Sequence, residues 1–315
     1  MKRILVLLVV TTMAIAFASC QRGADQSGGA PRIALVLKTA NNPFFIEMQK
    51  GAEETAKKLG VNLIVQAAER EVDVEKQMQI IENLIQAKVA ALCVTPSGSR
   101  EIVPAIEKAN RASIPVVIVD TRVDPKAMSE STGKVATFIG SDNYEGGRLA
   151  GEYLAKRLDG KGKVAVLEGI PGHETGDSRL KGFRDAIKAT PGIEIVASQT
   201  ANWERDQGFN VFQNILQSHP DLQAVFACSD LMALGAVEAI AAAKKTGIAV
   251  VGFDALDEAR QAVLSGQMEA TVAQFPGTMG GMAVENAYAL IKGEQVKQEF
   301  VVPIKLITKE NANEK

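Results

Sequence analysis

A short apolar run closed by a carboxylate occurs twice in this chain, and that repeat limits the possible folds more than any other feature. Ile248–Asp254 reads Ile-Ala-Val-Val-Gly-Phe-Asp, and Ile114–Asp120 reads Ile-Pro-Val-Val-Ile-Val-Asp. Both are rich in β-branched residues and lack polar alternation, as parallel strands buried on both faces do. Two more pairs recur at the same interval of about 130 residues: Ala91–Pro96 with Ala224–Asp230, and Arg32–Leu37 with Lys163–Leu167. The chain therefore reads as one α/β unit written twice. Open parallel sheets bind ligands beyond the carboxyl ends of their strands. Two such units facing each other would enclose a site containing Asp120 and Asp254.

Between these runs, strand and helix patterns alternate. Strands are expected at Arg32–Leu37, Val61–Val65, Ala90–Val94, Val116–Asp120 and Val135–Gly140, and in the second copy at Lys163–Leu167, Glu194–Ser198, Ala224–Asp230, Ile248–Asp254 and Ala270–Gln274. A last strand is expected near Val301–Ile307, followed by a frayed polar tail, Lys309–Lys315. Asn42 and Pro43 form a helix start, with Phe44, Phe45, Met48, Ala52 and Ala56 at helical spacing and Gly60 as the stop. Further helices are expected at Val74–Gln86, Glu101–Asn110, Ser178–Ala189, Asp257–Ser265 and Gly277–Ile291. The fold class is α/β, with two similar doubly wound parallel-sheet lobes.

A length of 315 residues suits two lobes, and 46% hydrophobic with 23% charged residues suits a soluble globular protein. A net charge of −2 gives no support to nucleic-acid binding. The two histidines, His173 and His219, lie far apart, and no Cys/His cluster has metal-ligand spacing. Lys2 and Arg3 followed by the apolar run Ile4–Ala18 read as an export signal over residues 1–20. Phe17-Ala18-Ser19-Cys20 resembles a bacterial lipobox, which would place an acyl chain on Cys20 and leave residues 21–30 as a flexible tether. Plain cleavage nearby is the other outcome.

Gly146, Gly147, Ala150 and Gly151 cluster at the start of a helix. Close helix–sheet packing accounts for them better than a phosphate cradle, because neither the G-x-G-x-x-G order directly after the strand nor a P-loop lysine is present. No cofactor is expected. Arg179 stands near the start of the Ser178–Ala189 helix, where a cation opposes the dipole, so it is a candidate ligand contact. Trp203 is the single tryptophan and lies in a polar loop, a setting that suits a stacking platform. Cys93 and Cys228 fall in core strands of different units and read as buried small apolar residues.

A polyhydroxylated ligand needs directional or charged hydrogen-bonding groups for its hydroxyls and flat aromatic faces for its C–H surfaces. Strand ends and the loops after them supply both here: Asn42, Asp120, Arg179, Asp254 and Gln274, with Phe44, Phe45 and Trp203. A glycosidase acid/base pair made of Asp120 and Asp254 is the catalytic alternative. Nothing in the sequence marks one of the two as a carboxyl kept protonated.

Thr39–Phe45 with its Asn-Asn-Pro-Phe-Phe, the run Ser141-Asp-Asn with Gly146-Gly147, Ala224–Ala236, Val250–Asp254 and Thr271–Gln274 together resemble bacterial ribose-binding proteins. The likeness runs from Pro31 to the C-terminus. It implies a type 1 periplasmic binding protein, the sugar-capturing subunit of an ABC importer, monomeric and not an enzyme. It implies a first lobe of residues 31–141 plus 275–303 and a second of 142–274 plus 304–315. Three crossings near Ser141, Gln274 and Pro303 would form the hinge between them. By position, Asn42, Asp120, Arg179, Asp254 and Gln274 would bond the sugar, and Phe44, Phe45 and Trp203 would sandwich it. Thr95 and Ser229 stand where an Asn is expected, Trp203 where a Phe is, and Thr121 where an Arg is, with Arg122 one residue later. These departures fall on the face that reads hydroxyl stereochemistry, so the expected ligand is a ribose-like pentose, a hexose or a polyol. A related repressor would need a helix-turn-helix where the export signal stands. A chemoreceptor is a second partner that such a binder could serve.

Overall fold

The computed structural model describes residues 29–314. The expected export signal, the lipidation site at Cys20 and the tether up to residue 28 lie outside them. Residues from Pro31 onward form a single unit by their contacts.

The first copy comprises β1 (Arg32–Thr39), α1 (Pro43–Leu59), β2 (Asn62–Ala68), α2 (Val74–Gln86), β3 (Ala91–Val94), α3 (Val103–Arg111), β4 (Val116–Val119), α4 (Pro125–Ser129) and β5 (Thr137–Ser141). The second continues with α5 (Asn143–Arg157), β6 (Lys161–Glu168), α6 (Glu174–Lys188), β7 (Gly192–Thr200), α7 (Arg205–Ser218), β8 (Ala224–Ala227), α8 (Asp230–Ala242), β9 (Ala249–Asp254), α9 (Asp257–Ser265) and β10 (Ala270–Ala273). Then come α10 (Pro276–Ile291), β11 (Glu299–Val302) and β12 (Lys305–Thr308).

Two six-stranded sheets result, ordered β11-β5-β4-β3-β1-β2 and β12-β10-β9-β8-β6-β7. The shared order is the structural form of the sequence repeat. The chain crosses between the sheets three times. It passes from β5 into α5, which packs on the second sheet; from β10 into α10, which packs on the first; and from β11 directly into β12. The expected last strand is thus two short strands in different sheets. β12 also runs antiparallel to β10, so the second sheet is not wholly parallel.

Local chemistry explains the ends that place the site. The Asn42 carboxamide accepts the Phe44 N–H at 3.0 Å, Pro43 opens α1, and Gly60 closes it in the left-handed region at φ 68°. The small residues of α5 serve contact rather than phosphate. A Cβ on Gly147 would overlap the backbone carbonyl of Arg179, and one on Gly151 would crowd Ala186 and Phe183. The neighbour is a helix, α6, more than a sheet. Gly51 does the same in the first lobe, where a Cβ would strike the backbone of Gly277 in α10. Cys93 and Cys228 are free and buried, and burial pushes both thiols up to about 12.

Two expectations about ends need correction, and α4, α7 and α8 have no counterpart among the expected helices. α6 starts at Glu174, so Arg179 sits in its second turn and meets little of the dipole. α4 is a five-residue helix capped by Asp124 that the sequence pattern is too short to reveal. The tail is held rather than frayed up to residue 314: Arg260 donates to the carbonyls of Ala312 and Glu314, and Lys305 pairs with Glu314.

Candidate functional site

Residues at the carboxyl ends of strands from both sheets line one small cavity. Of the residues singled out from sequence, Asn42, Phe44, Phe45, Asp120, Arg179, Trp203, Ser229, Asp254 and Gln274 line it. Three more line it that sequence reasoning missed: Lys38, Glu71 and Thr175.

The two carboxylates found from the repeat share a backbone property. Asp120, just past β4, has φ 64°, and Asp254, at the end of β9, has φ 116°. Both are non-glycine residues at positive φ, where strain concentrates at functional sites. Each strand therefore turns sharply at its end and aims its carboxylate across the sheet edge.

Each carboxylate has a cation beside it in its own lobe. Lys38, at the end of β1, places Nζ 3.8 Å from Asp120 and 3.9 Å from Glu71, with all three side chains nearly inaccessible. Glu71 also accepts from the Asn42 amide at 3.0 Å, so Asn42 caps its helix and orients Glu71 at once. Burial pushes the Glu71 carboxyl up, opposed by the Lys38 charge and that hydrogen bond. In the second lobe Arg179 lies 3.5 Å from Asp254. Its Nε donates to Asn143 at 2.9 Å, the same Nη1 that faces Asp254 donates to the Cys228 carbonyl at 2.7 Å, and its plane stacks 3.7 Å from the Phe253 ring centre. Gln274 donates to Asp254 at 2.8 Å. Burial raises Asp254, with Arg179 and Gln274 opposing. The Ser229 hydroxyl and the Gln274 carbonyl oxygen are buried with no hydrogen-bond partner among the described residues.

The aromatic residues flank this polar set. Phe44 and Phe45 meet edge to face, centres 5.3 Å apart, on the first-lobe side. Trp203 is 6% exposed and sits in the left-handed region at φ 67°. Its indole fills the space above Gly169 and Gly176, where a Cβ would meet the ring. Its N–H points to His173 Nδ1 at 3.5 Å. His173 faces the Ser97 backbone of the first lobe, and the Glu174 N–H donates to Ser99 Oγ at 3.3 Å. Burial, with the Lys38 charge, pushes the His173 imidazole down to about 3.

Three expected contacts do not line the cavity. Thr95 turns its hydroxyl to the Val36 carbonyl at 3.2 Å. Thr121 bonds Asp120 at 2.8 Å and so orients that carboxylate from behind. Arg122, three residues past the end of β4, pairs with Glu299 and stacks on Phe138 at 3.8 Å, partly in solvent. Among the described residues no group of three metal-capable side chains occurs, and no helix is long and apolar enough to cross a membrane.

Residues 33–295 match the model of the periplasmic binding protein domain. The chain is 39% identical to the ribose import binding protein of Escherichia coli strain K12 over 278 residues, covering 88% of this chain and 90% of that one. It is 41% identical to the Bacillus subtilis ribose import binding protein, covering 88% and 87%. A solved ABC-transporter solute-binding protein of Actinobacillus succinogenes with bound D-allose superposes with a TM-score of 0.85 at 40% identity, covering 90% of this chain and 99% of that one.

Proposed function

This chain belongs to the periplasmic binding protein domain family, and from that premise we propose that it captures one neutral monosaccharide between its lobes and hands it to an ABC importer's membrane subunits. One observation carries the reading. A cavity between two sets of strand ends is lined by paired carboxylates and cations on both sides and by aromatic faces. Carboxylates held by neighbouring cations accept hydroxyl hydrogens strongly, Arg179 and Lys38 donate to hydroxyl oxygens, and the unpartnered Ser229 and Gln274 oxygens add acceptors. Three carboxylates against two cations favour a neutral sugar over a phosphorylated or acidic one.

The ligand contacts we propose are Asn42, Phe44, Phe45, Asp120, Arg179, Trp203, Ser229, Asp254 and Gln274, joined by Lys38, Glu71 and Thr175. The ligands that relatives are named for or hold include ribose, allose, D-arabinose and myo-inositol. With Thr121 contributing no cation to the cavity, Lys38 supplies the first lobe's positive charge from a different strand. That exchange supports a sugar whose hydroxyl pattern differs from ribose.

In this reading the lobes rotate about the crossings near Ser141, Gln274 and Pro303 and close over the sugar. The protein acts outside the cytoplasmic membrane, and an acyl chain on Cys20 would hold it there. Mass analysis of the N-terminal peptide tests the anchor. Isothermal titration with D-ribose, D-allose and myo-inositol tests the capture. Saturable binding of one of them supports it, and binding of none, with a phosphorylated sugar bound instead, overturns it.

A further inference from the structure

Asp230 is fully buried at the first position of α8 and does not line the cavity. Burying a carboxylate with no cation beside it is costly, so its bonds show what it is for. Oδ2 accepts the Leu256 N–H at 2.8 Å, and Oδ1 accepts the Thr271 hydroxyl at 2.7 Å. The Thr271 oxygen in turn accepts the Ala255 N–H at 3.2 Å. Both amides that follow Asp254 are thus tied, one directly and one through a hydroxyl, to a single carboxylate. The tied turn is the strained one. Asp254 and Ala255 are consecutive non-glycine residues at φ 116° and 55°. Gly252 leaves room for the arrangement, since a Cβ there would run into Asp230 Oδ1. A strained turn persists only where its surroundings over-determine it, and Asp230 with Thr271 supplies that determination.

We propose that Asp230 is a positioning residue for ligand capture: through Leu256 and Thr271 it holds the strained Asp254–Ala255 turn that aims the Asp254 carboxylate at the ligand. The proposal rests on the sugar-binding reading of the cavity. If the clamp is loosened, the turn relaxes and the Asp254 carboxylate leaves the geometry in which Arg179 and Gln274 meet it. The test is titration calorimetry of the purified protein with D-ribose and D-allose, using Asp230→Asn, Thr271→Val, Thr271→Ser and Asp254→Asn variants. Asp230→Asn and Thr271→Val should each weaken binding tenfold or more, and Thr271→Ser, which keeps the hydroxyl, should bind like the parent. Combined with Asp254→Asn, neither should weaken binding beyond Asp254→Asn alone. Unchanged affinity in both single variants, or losses that multiply independently of Asp254→Asn, would overturn the proposal. If the parent binds neither sugar, the choice of these two sugars is what fails, and amide exchange of the ligand-free protein decides the clamp. Thr271→Val should speed exchange in residues 252–258 and leave β1 and β6 protected, whereas unchanged protection of residues 252–258 overturns the clamp.

Discussion

Asp254 and Lys38 show how differently two residues of one cavity present themselves in a sequence. Asp254 closes an apolar strand that has a counterpart in the other half of the chain, so its place at a strand end could be read directly. Replacing it with Ala removes charge-assisted bonds at about 2–3 kcal/mol, so sugar affinity should fall roughly a hundredfold in calorimetry. Lys38 and Glu71 gave no such signal. One reads as a strand-end lysine and the other as part of the charged run Glu69-Arg70-Glu71, and both would ordinarily be solvated. Their burial is a tertiary fact. Removing Lys38 leaves two buried carboxylates unneutralised. Lys38→Met should therefore cost about 3–5 kcal/mol in urea unfolding, and adding Glu71→Gln should recover part of that loss. Arg122 went the other way. It stands next to the expected position in sequence, but beyond the turn at Asp120 it pairs with Glu299 and stacks on Phe138. Arg122→Ala should leave sugar affinity unchanged and cost no more than about 1 kcal/mol of stability.

Elements carry the geometry between these residues. The period of apolar residues revealed the strands and most of the helices, because buried parallel strands and amphipathic helices have distinct patterns, but it left out α4, α7 and α8. Ends set by loop chemistry were less legible. α6 begins four residues before its apolar stripe, so Thr175 went unnoticed and Arg179 seemed to oppose a dipole it barely meets. The contact of α5 with α6 depends on Gly147, whose missing Cβ admits the Arg179 carbonyl. Gly147→Ala should lower stability by about 1–3 kcal/mol and weaken sugar binding as well, because it displaces the backbone of Arg179. The β6–α6 loop holds His173 between Trp203 and the Ser97 backbone in a neutral state. An imidazole pushed down to about 3 contributes stability that is complete above its unfolded value near 6.5 and is lost as pH falls from there toward 3. Asp254 and Glu71 act with the opposite sign, gaining as pH falls, so the His173 share must be read as a difference. Relative to the parent, His173→Gln should flatten the fall in stability below pH 6.5, by about 2 kcal/mol at pH 5. Parallel pH profiles for the two proteins would remove His173 from that role.

At the scale of the whole molecule, the repeat accounts for both the architecture and the site. Two copies of one sheet order, joined by three crossings, bring two sets of strand ends to opposite sides of one cavity. The central claim is that this cavity takes a neutral sugar. A thermal-shift screen of the purified protein against pentoses, hexoses, polyols and their phosphorylated counterparts tests it most directly. At a thousandfold excess over its dissociation constant, a true ligand stabilises the folded protein by about 4 kcal/mol. The melting temperature should rise clearly with one neutral sugar or a few close relatives, and not with the phosphorylated forms. A flat response to every neutral sugar, or a larger rise with a phosphorylated one, would contradict that claim.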